Sequence, residues 1–243
     1  MKKVLQHIRE KTEIFSQKSL FGYLADDRIP AGDRLQFAPC MAHFVFSFMD
    51  INRFLLPDMQ DDSEYQKLVN IHASEDAWHW PWYLHDLQQM NMDPVLPVSD
   101  VLRFLWGEST RASRLLSYRC VSMIAGASSV QKLAIVETIE MTGKVFLECT
   151  AALCAAWPDA PGKLLYFGQN HADCETGHHM GTAGIMHYLE SIKLDAAERE
   201  ECLVLVDELF MLYGNFVDEM LAFAENMNSD AEGRFAVIGA LQD

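Results

Sequence analysis

The sequence predicts an all-α fold, a single bundle of seven helices, and three observations carry that prediction. No stretch keeps a period-2 alternation, and the 13 glycines form no Asn-Gly or Asp-Gly hairpin signal. Apolar residues recur three and four apart over windows much longer than a strand. No Pro- or Gly-rich linker and no repeat of fixed period divides the 243 residues. One domain is therefore expected over 1–243, with its core at about 15–227 and a tail at 228–243.

The first helix is expected over about residues 5–25, ending in the Asp-Asp-Arg-Ile-Pro-Ala-Gly turn of 26–32. A second, apolar nearly all round and so buried, covers about 33–55. The third starts at Asp62 and Ser63 and reaches about Met90. Pro81 lies inside it, removes a backbone donor and predicts a kink. Residues 91–98 form a loop. Ser99 and Asp100 cap a fourth helix to about Ile124, and Ser128 and Ser129 cap a fifth to Trp157. The turn at 157–162 separates it from a sixth helix over about 162–192. Asp195 and Glu198 have capping-box spacing and open the seventh, to about Met227.

Composition limits the partners. With 19 Lys+Arg against 35 Asp+Glu the formal net charge is −16, a field that repels nucleic acid. The most apolar run, residues 35–49, is too short to span a bilayer and holds Gln36, Pro39 and His43. The N-terminus has no signal-peptide apolar segment, so a cytoplasmic location without membrane attachment is expected. The six cysteines contain no Cys-x-x-Cys pair and several sit in apolar helical stretches, which suggests buried reduced thiols.

Nine histidines in so acidic a chain point elsewhere, because imidazole and carboxylate are the ligand set of first-row transition metals. His171, Glu175 and His178 stand at i, i+4 and i+7, which at ~100° per residue puts them within about 60° of one another on one helix face. His72, Glu75 and His79 share a face in the same way, with Asp76 beside them and Trp78, Trp80 and Trp82 nearby to exclude water. Glu137 and Glu140 lie on adjacent turns of a helix otherwise rich in Leu, Ile, Val and Ala. A carboxylate on a core face is costly unless paired or bound to a cation. Glu140 continues the apolar face of Leu133, Val136 and Ile139, and Glu137 remains the alternative. The candidate metal ligands are thus Glu75, His79, Glu140, His171, Glu175 and His178, enough for two divalent ions with positions left open for dioxygen and substrate, a logic related to carboxylate-bridged helical bundles.

With these motifs the chain resembles the haem-oxygenase-like di-iron oxidases and oxygenases, the iron-containing redox enzymes. Their last ligand helix carries His-x3-Asp/Glu-x2-His, matched by His171, Glu175 and His178. A Glu precedes it by about thirty residues, as Glu140 does, and their first ligand helix has a Glu followed by a His and an aromatic Leu-Asp-Leu stretch. Here those are Glu75, His79 and residues 83–87. The likeness extends over roughly 15–225 and implies a haem-oxygenase-like bundle with two Fe ions. It also implies O2 as co-substrate for decarboxylation, carbon–carbon cleavage or N-oxygenation of a small organic molecule. His85 competes with His79 as the ligand; His72, Asp76 and His179 are candidates to support ligands by hydrogen bonds or to be alternative ligands. Phe44, Phe46, Phe48, Trp80 and Tyr166 are candidates for an apolar pocket. Related folds imply a homodimer. The alternative is a metal-free enzyme or binding protein like the thiaminase II and pyrroloquinoline-quinone branches of the same fold.

Overall fold

A computed structural model describes residues 1–177 and 183–229, with the side chains of 175–177, 183 and 228–229 outside that description, and the regular structure among the described residues is all helical. The helices are α1 (Lys2–Phe15), α2 (Ser19–Ala25), α3 (Ala31–Arg34), α4 (Ala42–Asp50), α5 (Glu64–Asp76), α6 (Trp80–Gln89), α7 (Val98–Trp106), α8 (Arg111–Gly126), α9 (Ser129–Ala155), α10 (Gln169–Gly177), α11 (Ala183–Ser191) and α12 (Ala196–Ser229). The all-α class is as the sequence predicts. The count of seven is not, because local chemistry breaks most of the long predicted helices.

Each break has a cause in the chain. Pro39 starts a 3-10 turn, Ala38–Met41, that interrupts the predicted 33–55 helix, and a π-turn at Ile51–Leu55 ends it. Gly107 is extended and stops α7. The side chains of Thr110 and Arg114 then satisfy the carbonyls of Leu105 and Gly107 that the stop exposes. Pro81 sits in the first turn of α6, where its missing N–H costs nothing, so the expected kink is a full break after Asp76. The sixth predicted helix begins only at Gln169.

Two helices keep their predicted length, and both have complete N-terminal caps. Ser128 and Gln131 form a reciprocal capping box at α9. Asp195 accepts from the backbone of Glu198 at 2.9 Å while Glu198 accepts from that of Asp195 at 3.0 Å. Helix α9 is buried on nearly all sides from Val130 to Ile139, as a central helix must be. It packs against α1, α5, α10 and α12. Helix α12 presents Val206, Leu209, Tyr213, Phe216, Met220 and Phe223 toward the core at helical spacing.

An aromatic layer fixes the segment between α9 and α10. Phe37, Phe146 and Phe167 meet edge to face at 6.0–6.4 Å, and Tyr83 meets Tyr166 at 5.6 Å. Such pairs contribute about 0.5–1.5 kcal/mol each beyond the area they bury. Tyr83 is fully buried and donates to the Ala38 carbonyl at 2.8 Å, which ties α6 to the turn before α4. Among the described residues no helix is long and apolar enough to cross a membrane. Cys40, Cys120, Cys149, Cys154 and Cys202 form no disulfide, and burial pushes the thiols of Cys120 and Cys154 up to about 12, so they stay protonated.

Candidate metal centre

The centre begins with the cap of α5, where the Ser63 hydroxyl accepts from the Gln66 backbone and starts the helix in register. His72 and Asp76 lie one turn apart on its inner face, and both are buried. Opposite them α9 presents Glu140. The His72 ring lies between the two carboxylates, Nδ1 at 3.1 Å from Glu140 and Nε2 at 3.3 Å from Asp76. One donor atom from each of the three falls within 4.8 Å of the others. Glu137, one turn earlier on α9, is buried too. Its carboxyl is pushed up to about 7, first by burial and then by the Glu140 charge, with His72 and Arg9 opposing. Both acids of the 137/140 pair therefore face inward.

The break after Asp76 shifts His79 out of the register of α5. It becomes the N-cap residue of α6, and its Nδ1 stands 3.1 Å from Nε2 of His171 on α10. Two imidazole nitrogens held by one ion at ~2.0–2.1 Å and ~90–110° lie about 3 Å apart, so this spacing suits a shared cation. The other nitrogen of His171 donates to the Tyr166 carbonyl at 3.0 Å, the backbone hydrogen bond that ligating histidines usually make behind the metal. Trp82 stacks on His79 with ring centres 4.6 Å apart and planes 11° from parallel.

Both donor groups reach one cavity of about 100 Å³, into which Asp76, His79, Glu140 and His171 project. Its remaining wall is mainly apolar, with Phe44 and Phe48 from α4 facing Phe216, Val217 and Met220 from α12. Four polar side chains interrupt it, those of Trp80, Thr142, Tyr166 and Tyr213. The Trp80 indole nitrogen has no acceptor among the described residues. Tyr166 lies against His171 at 4.7 Å, and burial keeps the Tyr213 hydroxyl protonated.

Of the expected ligands, the structure thus brings His79 to His171 and Glu140 to the α5 pair. Glu75 is half-buried and outside the group of three, whereas His72 and Asp76, expected as supporting groups or alternative ligands, belong to it. The Glu175 side chain, His178 and His179 lie outside the described residues. His85 contacts Asp86 at 3.0 Å, is two-fifths exposed and joins neither donor group. Phe44, Phe48, Trp80 and Tyr166 line the cavity as expected. Phe46 instead packs on Trp80 and Tyr83. Tyr213 carried no signal in the sequence, since its neighbours on α12 read as ordinary core. No protein-family model matches the chain, and no curated protein matches it.

Proposed function

We propose that this chain is an O2-dependent oxidoreductase with a non-haem di-iron centre, oxidising a small organic molecule held in the apolar cavity. The observation that carries the reading is that the His72–Asp76–Glu140 group, through Asp76 and Glu140, and the His79–His171 pair line one apolar cavity. A buried group of carboxylates and imidazoles with nearest contacts of 3.1–3.3 Å is the chemistry of a divalent-metal site, because burial without a cation would be costly. In this reading Asp76, Glu140 and His72 hold one ion and His79 and His171 the other. Glu75, Glu175 and His178 are further ligands in keeping with the family likeness. Two iron ions would supply the electrons that reduce O2.

The chain's own residues do the rest. Asp76 and Glu140 offset the positive charge, and His171 offers the Nε2 lone pair because its Nδ1 proton is engaged with Tyr166. The walls from α4 and α12 exclude water from the reacting carbon, and the Trp80 N–H is placed to hold an acceptor atom of the substrate. Tyr213 Oη is a protonated group on the same wall.

Anaerobic titration with Fe(II), read by bound iron and by absorbance on admitting O2, tests the reading. Saturation near about two ions per chain and an oxygen-dependent visible transient are expected. No uptake by the native chain, or unchanged uptake in a His72→Ala, His171→Ala double variant, refutes it.

A further inference from the structure

One buried carboxylate outside the cavity is held by three backbone N–H groups. Asp86 on α6 is fully buried. Its Oδ1 accepts from the backbone N–H of Leu165 at 2.7 Å, and its Oδ2 from those of Tyr166 at 2.8 Å and Phe167 at 2.9 Å. Three successive N–H groups converging on one carboxylate form an anion-binding nest, here filled from within the protein. Bonds to a charged acceptor are stronger than neutral ones, so the nest fixes the peptide planes of 165–167. One of those planes carries the Tyr166 carbonyl that receives His171 Nδ1–H at 3.0 Å. Immediately after it the chain doubles back so tightly that a Cβ on Gly168 would lie 2.2 Å from the Leu164 carbonyl oxygen. The carbonyl's direction is therefore held from both sides.

The same helix also governs the other imidazole. His79 caps α6, and Trp82, one turn on, stacks on its ring. Asp86 follows one further turn along. Helix α6 thus acts as a bracket, with its first turn on one imidazole and its second reaching the other through the loop.

We infer that Asp86 is a positioning residue for the imidazole pair: by ordering the 165–167 nest it aims the Tyr166 carbonyl at His171 Nδ1 and sets the His171 tautomer that leaves Nε2 a lone pair facing His79. Its value for metal binding rests on the reading proposed above, while the tautomer itself does not.

The test uses the full chain with histidine labelled by nitrogen-15, stripped of metal by chelation and held near pH 8, where an ordinary imidazole is neutral. Two-bond proton–nitrogen spectra report which ring nitrogen of His171 carries the proton. The native chain is expected to hold the Nδ1–H form alone, and Asp86→Asn and Asp86→Ala to show both forms. Co(II) titration of the same proteins should show a loss of affinity of about 10–100-fold in the variants, the usual effect of removing support behind a ligand. An Nε2–H form in the native chain, or a single Nδ1–H form with unchanged Co(II) affinity in folded Asp86→Asn, overturns the inference. The native spectrum decides the matter even if both variants fail to fold. The expected tautomers without Co(II) binding by any of the three would uphold the role of Asp86 and refute the metal centre.

Discussion

Glu137 offers the most quantitative test of how the centre is charged. Replacing it by Gln keeps the shape and removes one buried ionisable group. Burial and the nearby Glu140 raise its carboxyl from 4.5 to about 7 in the metal-free fold. Between those limits the native state binds a proton that the unfolded chain has released, so stability falls as pH rises across the window. Raised from 4.5 to about 7, the ionised carboxylate costs on the order of 3 kcal/mol above pH 7, at ~1.4 kcal/mol per pH unit, and nothing below about pH 4.5. Glu137→Gln should therefore match the native protein near pH 4.5 and exceed it by up to about 3 kcal/mol at pH 8, or roughly 6–12 °C in Tm for a chain of this size. Urea and thermal unfolding of chelator-treated protein at pH 4.5, 6, 7 and 8 would measure this. A divalent ion between His72 and Glu140 would favour the Glu137 anion and shrink the gap. A gain of equal size at every pH would show that packing, and not charge, separates the two proteins. A loss at pH 8 would show that the carboxylate is compensated, and the argument for a charge-poor pocket would fail.

Three further substitutions probe the frame around the centre. His72→Ala leaves Asp76 and Glu140 facing each other without the ring between them, which should cost about 3–5 kcal/mol in urea unfolding of the metal-free protein; a loss under 1 kcal/mol would mean the three do not interact. Gly168→Ala places a methyl 2.2 Å from a backbone oxygen, so the loop must move. A stability loss above about 2 kcal/mol and weakened metal binding are expected from unfolding and titration, and a neutral variant would contradict the tight turn. Asp195→Ala removes the acceptor for two backbone N–H groups at the start of α12 and should cost about 1 kcal/mol in thermal unfolding, with no change in metal affinity.

How much of this was legible in the sequence depended on how local each cause is. The caps at Ser128 and Asp195 are read from four consecutive residues, and both helices begin where those residues place them. The inward turn of Glu140 followed from the apolar periodicity of α9. The ligand face of α5 was only half legible. On one continuous helix His72, Glu75 and His79 share a sector, but the break ahead of Pro81 interrupts the helical phase, so Asp76 turns to Glu140 and His79 to His171. A kink bends a helix and keeps the phase; a break does not, and the proline alone does not distinguish them. Asp86 was visible only as a letter in an aromatic Leu-Asp-Leu stretch. Its partners lie about eighty residues away and are backbone groups, which leave no mark in side-chain patterns.

The contrast between two classes of buried carboxylate is the strongest physical argument for a cation at the centre. Asp86 is buried, yet its charge is offset by three backbone N–H groups and costs the fold little. Asp76, Glu137 and Glu140 are gathered within one turn of two facing helices with the His72 ring between Asp76 and Glu140, and His72 and Arg9 act on Glu137. Glu137, raised to about 7, carries only part of a charge near neutral pH. A network kept for stability would resemble Asp86, since packed apolar residues usually serve a core at least as well as a buried ion pair. Carboxylates assembled beside imidazoles at an apolar cavity are what the proposed divalent ion would complete, and the rigid backing given to His171 by the Asp86 nest fits that proposal.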